Sequence, residues 1–294
     1  MPLSLLTLVR NRTAYLASLL DSLAHAPDPP AEVVVAVCGG EDPTPHLPET
    51  PFPVRLLDIG SDGDRIPYSH ARNACARAAT SDHILFLDAD CLPAPGTLSA
   101  LDDTLRAVDA LAIAEVRYLP PGEHDLRDVD ALYAESRPHP ARPVPPESLW
   151  RLSDAHELAW GLCMAFRRET FTRLGGFDEG YGGYAGEDTD LAVAAREAGV
   201  PLAVVGGATV FHRHHDVFEP PVQQVEATLA NAQRFRDKWG RWPMEGWLQG
   251  YVDLGLVEWS PEAERATLVR QPTEEEIEAA RFTLARPFRD AQTA

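Results

Sequence analysis

The sequence predicts an α/β fold: a mostly parallel, doubly wound sheet with helices on both faces, followed by a helical C-terminal extension. Three observations predict it. Apolar strand runs alternate with amphipathic helix patterns through the first 117 residues, as successive βαβ units require. Two aspartates, Asp88 and Asp90, follow directly on the apolar run His83–Leu87, at the carboxyl end of a strand, where open α/β sheets gather ligands. Beyond about residue 217 the pattern changes to helical segments separated by tryptophan-rich sequence.

The elements follow in order. Residues 3–9 form a buried-strand run, and 13–26 carry Leu16, Leu19, Leu20 and Leu23 at i, i+3, i+4 and i+7, one face of a helix. A valine-rich strand at 32–37 leads into a proline-rich loop, and 54–59 is a short strand. An alanine-rich helix at 69–79 has Ser69 as its expected N-cap. A strand at 83–87, a helix at 98–108 and a strand at 110–116 complete the first half. Seven prolines between 120 and 146 argue against a regular core element there, so this stretch is expected to cross the surface as a lid-like insertion. Regular structure returns with a strand at 162–166, a helix from Arg168, a glycine-rich loop at 175–186 and a helix from Glu187 to about Ala198, ended by Gly199. Short strands are expected at 201–205 and 209–211. In the tail, Val222, Val225, Leu229, Ala232 and Phe235 or Trp239 mark one amphipathic helix, and 273–285 a second. The expected division is therefore 1–217, with a nucleotide-binding half at about 1–117 and an acceptor half at about 150–217, plus an extension at 218–294.

A net charge of −19 disfavours nucleic acid and anionic lipid as partners, because both are bound through basic patches. It leaves room for an anionic small ligand at a local cation or bound metal. The four cysteines, Cys38, Cys75, Cys91 and Cys163, lack paired spacing and read as reduced thiols. No apolar run reaches the ~18 residues that a membrane helix needs. The expectation is a soluble, cytoplasmic protein.

Three clusters carry chemistry. Along a strand, Asp88 and Asp90 would face one side, and two hard carboxylates there suit Mn²⁺ or Mg²⁺, which can neutralise a diphosphate; the competing reading is a solvated, helix-capping turn. In Phe211-His212-Arg213-His214-His215-Asp216, a continuing strand would point His212 and His214 the same way, with usable metal-ligand spacing. An exposed polar loop is the alternative there, and zinc remains an open metal. The third cluster runs from Gly176 to Leu191, with Glu187, Asp188 and Asp190 opening a helix. Acids there can merely complement the helix dipole. The five glycines and two tyrosines ahead of them also allow close approach and stacking by a sugar, with a carboxylate in place as general base.

These stretches resemble known glycosyltransferases. Val9-Arg10-Asn11-Arg12 resembles the nucleotide-binding stretch of the β-1,4-galactosyltransferases. His70-Ala71-Arg72-Asn73 and Leu85-Phe86-Leu87-Asp88-Ala89-Asp90 resemble family 2 glycosyltransferases. Trp160-Gly161 through Leu191 is similar to the acceptor block of both, and His212-x-His214 resembles the galactosyltransferase metal histidines. The resemblance implies a GT-A fold and a metal-dependent transferase using Mn²⁺, with Mg²⁺ as the alternative. The donor would be a nucleotide-diphosphate sugar, most simply a UDP-hexose, and the acceptor a soluble small molecule or saccharide. Asp90, His214 and His212 would hold the metal. Arg10 and Arg12, aided by Arg72, would hold the nucleotide diphosphate, Asp88 would contact the donor ribose or the metal's water shell, and Thr7 and Val9 would belong to the nucleotide-binding site. Asp188 would deprotonate the acceptor hydroxyl for inverting attack, Glu187 would orient a sugar, and Trp160, Gly161 and Tyr184 would line the acceptor side. The tail would cover the acceptor cleft or form a homo-oligomer contact.

The sequence departs from the pattern in two places. Cys38-Gly39-Gly40-Glu41-Asp42 replaces the acidic-serine nucleotide loop usual in family 2, and residues 181–184 lack the tryptophans of the galactosyltransferase block. Two further readings stay open. A sugar-phosphate nucleotidyltransferase would carry a glycine-rich signature near the first strand, and residues 8–13 contain no glycine. A silent nucleotide- or carbohydrate-binding module would be expected to have lost a ligand or the base. A zinc hydrolase is more distant, since no H-E-x-x-H occurs.

Overall fold

The structure, a computed structural model, describes residues 3–281 except 61, 62, 64, 143, 144 and 147. Its elements are β1 (Ser4–Val9), α1 (Thr13–His25), β2 (Glu32–Val37), β3 (Val54–Asp58), α2 (Tyr68–Ala78), β4 (His83–Leu87), β5 (Cys91–Pro93), α3 (Thr97–Ala107) and β6 (Leu111–Tyr118). There follow α4 (Val129–Glu135), β7 (Arg137–Pro138), β8 (Trp150–Ser153), β9 (Cys163–Arg167), α5 (Arg168–Arg173), α6 (Glu187–Glu197) and β10 (Leu202–His212). The extension holds α7 (Val225–Trp239), α8 (Glu245–Asp253), β11 (Val257–Glu258), β12 (Thr267–Leu268) and α9 (Glu274–Ala280).

One mixed sheet runs β3-β2-β1-β4-β9-β6-β10-β5, with β7 beside β6 and β8 beside β10. β3, β2, β1 and β4 are parallel neighbours, as are β6 and β10. The parallel order, expected for most of the sheet, is interrupted by β9, which runs antiparallel to both β4 and β6. The helical crossovers α1 and α2 return the chain parallel to the strand before them, whereas β5 and β9 are entered without such a crossover and run antiparallel to their sheet neighbours. Alternation along β1 splits the core in two. Leu5 packs with α1 and α3 through Leu16, Leu19 and Leu101, while Leu6 packs with α2 and α6 through Ala71, Cys75 and Leu191. The extension builds its own cluster from Val222, Val225, Trp242, Leu248, Tyr251 and Leu256.

Several local expectations shift. Helix α2 begins at Tyr68 with Pro67 as N-cap, so Ser69 lies buried within the first turn. The proline-rich stretch contains α4, capped by the Asp128 side chain accepting from the Ala131 N–H. The two short strands expected near 201–211 are one strand, β10, whose register against β6 shifts between Val204 and Thr209, where Gly207 takes φ +73°. The aromatic stretch includes α8, which no clean periodicity announced. The last helix among the described residues is α9, opened by a Thr273–Glu276 capping box; the expected continuation over 282–285 lies outside them.

Candidate active site

The site assembles where β1, β4 and β10 end. Strand β4 stops at Leu87, so Asp88, Ala89 and Asp90 form a turn rather than a continued strand. The two carboxylates consequently differ. Asp90 is 4% exposed, whereas the Asp88 side chain is one-third open. Asp90 is surrounded by cationic and imidazole groups. Arg12 Nη1 donates to its Oδ2 at 2.5 Å, His212 Nε2 lies 3.8 Å from Oδ1, and His215 Nε2 lies 3.6 Å from Oδ2. Burial pushes the His212 imidazole down to about 4, so it is neutral near pH 7 with its lone pair free.

Strand β10 ends at His212, and the period-two expectation for His214 ends with it. The Tyr15 hydroxyl donates to the His214 carbonyl at 3.2 Å, and the Arg213 guanidinium lies 4.0 Å from the centre of the Tyr15 ring. Past that anchor the chain curls back and carries His215 toward Asp90, its ring centre 5.1 Å from that of His212. Among the described residues, the histidines paired with Asp90 are His212 and His215 rather than His214.

The donor set fits a divalent cation. One ligand atom each from Asp90, Cys91 and His212 lie within 4.8 Å of one another, and the Arg12 guanidinium already supplies positive charge at Asp90. A carboxylate with imidazoles suits Mn²⁺ better than Mg²⁺. Cys91 is the weakest member, because burial holds its thiol protonated well beyond its usual range.

A charged chain leads away from this corner. Arg72, buried in α2, reaches Asp88 at 3.4 Å and Glu187 at 2.6 Å. Gly161 is needed for that reach: a Cβ there would stand 2.8 Å from Arg72 Nη2. Burial and the adjacent Asp188 carboxylate push Glu187 up to about 7 against the opposing pull of Arg72. Asp188 accepts from the backbone N–H groups of Gly161 at 2.9 Å and Thr189 at 2.7 Å, which fixes its direction. Helix α6 starts from Gly186 at φ +96°, a conformation glycine adopts freely.

The other expected residues scatter more. Thr7 and Val9 are buried in β1, and the Thr7 hydroxyl has no hydrogen-bond partner among the described residues. Arg10 donates to the carbonyls of Gly63 and Arg65, bracing that loop. Trp160 donates to the Glu157 carbonyl, and Tyr184 stacks on Trp247 from α8 at 6.1 Å between ring centres. Sequence reasoning missed His215, Asn231, Trp247 and Arg142. Only His215 left a signal, as the third histidine of the run.

The fold is the GT-A fold of glycosyltransferases. Residues 3–236 match the family described as glycosyltransferase-like family 2, and the chain belongs to it. It is 27% identical over 82% of its length to the N-acetylglucosaminyl-diphospho-decaprenol L-rhamnosyltransferase of Mycobacterium tuberculosis (strain CDC 1551 / Oshkosh), covering 87% of that protein. It is 28% identical over 76% of its length to the validoxylamine A glucosyltransferase of Streptomyces hygroscopicus subsp. limoneus, of which it spans 54%. Among solved structures, S. aureus TarS 1–349 in complex with UDP-GlcNAc superposes with a TM-score of 0.52 at 17% identity, over 86% of this chain and 80% of that one. GalNAc-T7 with UDP, GalNAc and Mn²⁺ superposes with 0.54 at 16% identity, over 73% of this chain and 44% of that one. Among the described residues, no helix is long and apolar enough to cross a membrane.

Proposed function

We propose that the enzyme moves a hexose from a UDP-sugar to an acceptor hydroxyl, with a divalent metal and with inversion at the anomeric carbon. The observation that carries this reading is the linked series Asp90, Asp88, Arg72, Glu187 and Asp188, which joins a metal-binding corner to a carboxylate held by two backbone N–H groups. Asp90, His212 and a second histidine would hold Mn²⁺; His215 is the better placed, and His214 would need its loop to turn. When bound, the metal supplies Lewis-acid stabilisation to the departing diphosphate. Solved proteins of this fold bind UDP, UDP-GlcNAc and Mn²⁺, which supports a UDP-sugar donor.

The protein's own groups do the rest. Arg12 and Arg72 offset diphosphate charge, with Arg10 bracing the loop beside them, and Thr7 and Val9 line the base of the nucleotide site. Asp188 takes the acceptor proton as the acceptor oxygen bonds to the anomeric carbon and the bond from that carbon to the diphosphate breaks. Glu187, held by Arg72 at 2.6 Å, orients a sugar hydroxyl. Trp160, Gly161 and Tyr184 line the acceptor approach. The named acceptors of the two relatives differ, so the acceptor class is the open variable of this reading.

Two variants test it. With UDP near 100 times its dissociation constant, Mn²⁺ should raise the stability of the wild type by about 2.7 kcal/mol in a thermal-shift assay, and Asp90→Ala should abolish that shift. Asp188→Asn should bind UDP normally and lose roughly a hundredfold or more in turnover. A wild type indifferent to every nucleotide would defeat the donor assignment, and near-normal turnover in Asp188→Asn would defeat the base.

A further inference from the structure

Arg142 comes from the proline-rich segment between β6 and β9, and its setting is unusual for a guanidinium. It is 8% exposed, yet among the described residues neither terminal nitrogen, Nη1 nor Nη2, has a hydrogen-bond partner. Its surroundings are aromatic: the guanidinium carbon lies 5.2 Å from the centre of the Trp160 ring, and His139 meets the same ring edge-on at 4.9 Å. Tyr118 bridges onward, its ring 5.9 Å from His139 and 5.0 Å from the metal-corner His212. Desolvation pulls the proton affinity of Arg142 down, and the Asp188 carboxylate is among the groups that ease this.

Leaving a buried cation unpaired costs several kcal/mol, and folds retain such an arrangement where a ligand completes it. Arginine offers two parallel N–H donors, the match for two phosphoryl oxygens. Stacking on Trp160 holds the plane of the fork and so prepares it for an anion. The lining of Trp160, Tyr118 and His139 adds no competing negative charge. Among the groups that ease its charge is the Asp188 carboxylate, which is already committed to the Gly161 and Thr189 N–H groups.

We propose that Arg142 is a phosphate-receiving residue between the metal corner and the acceptor floor, completed when a phosphoryl group of a substrate enters. The placement rests on the transferase reading above; the anion site itself rests on the empty guanidinium. Two sources share this chemistry. One is the diphosphate of the nucleotide-sugar donor. The other is a phosphate carried by the acceptor, as in the diphospho-linked acceptor named for the mycobacterial relative.

The experiment titrates inorganic pyrophosphate, orthophosphate and UDP with Mg²⁺ by calorimetry into the wild type, Arg142→Gln and Arg142→Lys. The expected result is at least a tenfold loss of affinity for an inorganic probe in the glutamine variant, partly restored by lysine. UDP weakened in parallel assigns the donor diphosphate; UDP unchanged assigns the acceptor phosphate. All three probes binding the variants and the wild type alike would overturn the proposal. A wild type that binds pyrophosphate but no nucleotide would sink the donor reading while leaving the anion site in place. Ligand-free Arg142→Gln should melt no lower than the wild type, because it removes a buried unpaired charge. A lower melting point with unchanged anion affinity would make Arg142 a packing residue and overturn the proposal. If the glutamine variant does not fold, the lysine variant carries the same comparison, since it keeps charge and stem but loses the fork.

Discussion

His212 ties the candidate metal corner to the stability of the fold. Its imidazole is buried at the end of β10, and burial holds it down to about 4 against an ordinary value of 6.5. The unfolded chain therefore takes up a proton as pH falls through 6.5, while the folded protein resists until about 4. Stability is full above 6.5 and is lost as pH falls through that window, by up to about 3 kcal/mol for a shift of this size. In chelator, the melting temperature of the wild type should drop between pH 6.5 and 4, and His212→Gln should flatten that drop. An equally steep drop in the variant would remove His212 from the account. At this scale the sequence was partly readable. Asp90 and His212 stood out because acids after a buried strand and histidines at strand spacing can face one side together, a pattern that a solvated turn or an exposed polar loop also produces. His215 was hidden, because the turn that returns it to Asp90 depends on Tyr15, about two hundred residues away in the chain and invisible to local pattern.

At the scale of elements, the helices and strands of the first half announced themselves through period, since each has one buried face. The glycine-rich loop before α6 did not reveal how it is held. Asn231 of α7 holds it: its Oδ1 accepts from the Gly182 N–H, and its Nδ2 lies 2.8 Å from the Ala185 carbonyl, 3.1 Å from that of Tyr184 and 3.2 Å from that of Gly182. The loop needs such a clamp, because Ala185 sits at φ +73°, where an L side chain is strained by about 1 kcal/mol. Asn231→Ala should free the loop that delivers Glu187 and Asp188. The expected outcome is a loss of roughly tenfold or more in transfer rate with Mn²⁺–UDP affinity within about threefold of wild type, the pattern of misplaced rather than missing groups. Asn231→Asp should do no better, since it keeps the acceptor to Gly182 but loses every donor. Parallel steady-state kinetics and calorimetry decide it, and an equal loss of UDP binding would point to general damage instead.

For the whole molecule, the open question is how the extension is joined to the catalytic sheet. Composition suggested a break near residue 217, and helices with their own apolar cluster do follow it. Composition could not show that the junction is polar and buried. Asp190 of α6, which local reasoning assigned only to the helix dipole, is 2% exposed and takes Lys238 Nζ at 2.7 Å, Trp239 Nε1 at 2.7 Å and the Tyr181 hydroxyl at 3.1 Å. One carboxylate thus joins the catalytic helix, the glycine-rich loop and the last turn of α7. Lys238 is more than a third exposed and keeps Asp178 at 4.0 Å, so removing Asp190 leaves chiefly the Trp239 indole N–H and the Tyr181 hydroxyl without their acceptor, and Asp190→Ala should cost about 2 kcal/mol. At about 2–4 °C per kcal/mol for a chain of this order, the melting temperature should fall by roughly 6 °C. Replacing both ends of the ion pair, as in Asp190→Leu with Lys238→Met, should recover part of the loss, because it removes the ammonium left facing an apolar side chain. If the single variant melts like the wild type, the extension is held by its apolar contacts alone. If it melts low and the double variant does not recover, the Trp239 and Tyr181 bonds carry the junction rather than the ion pair.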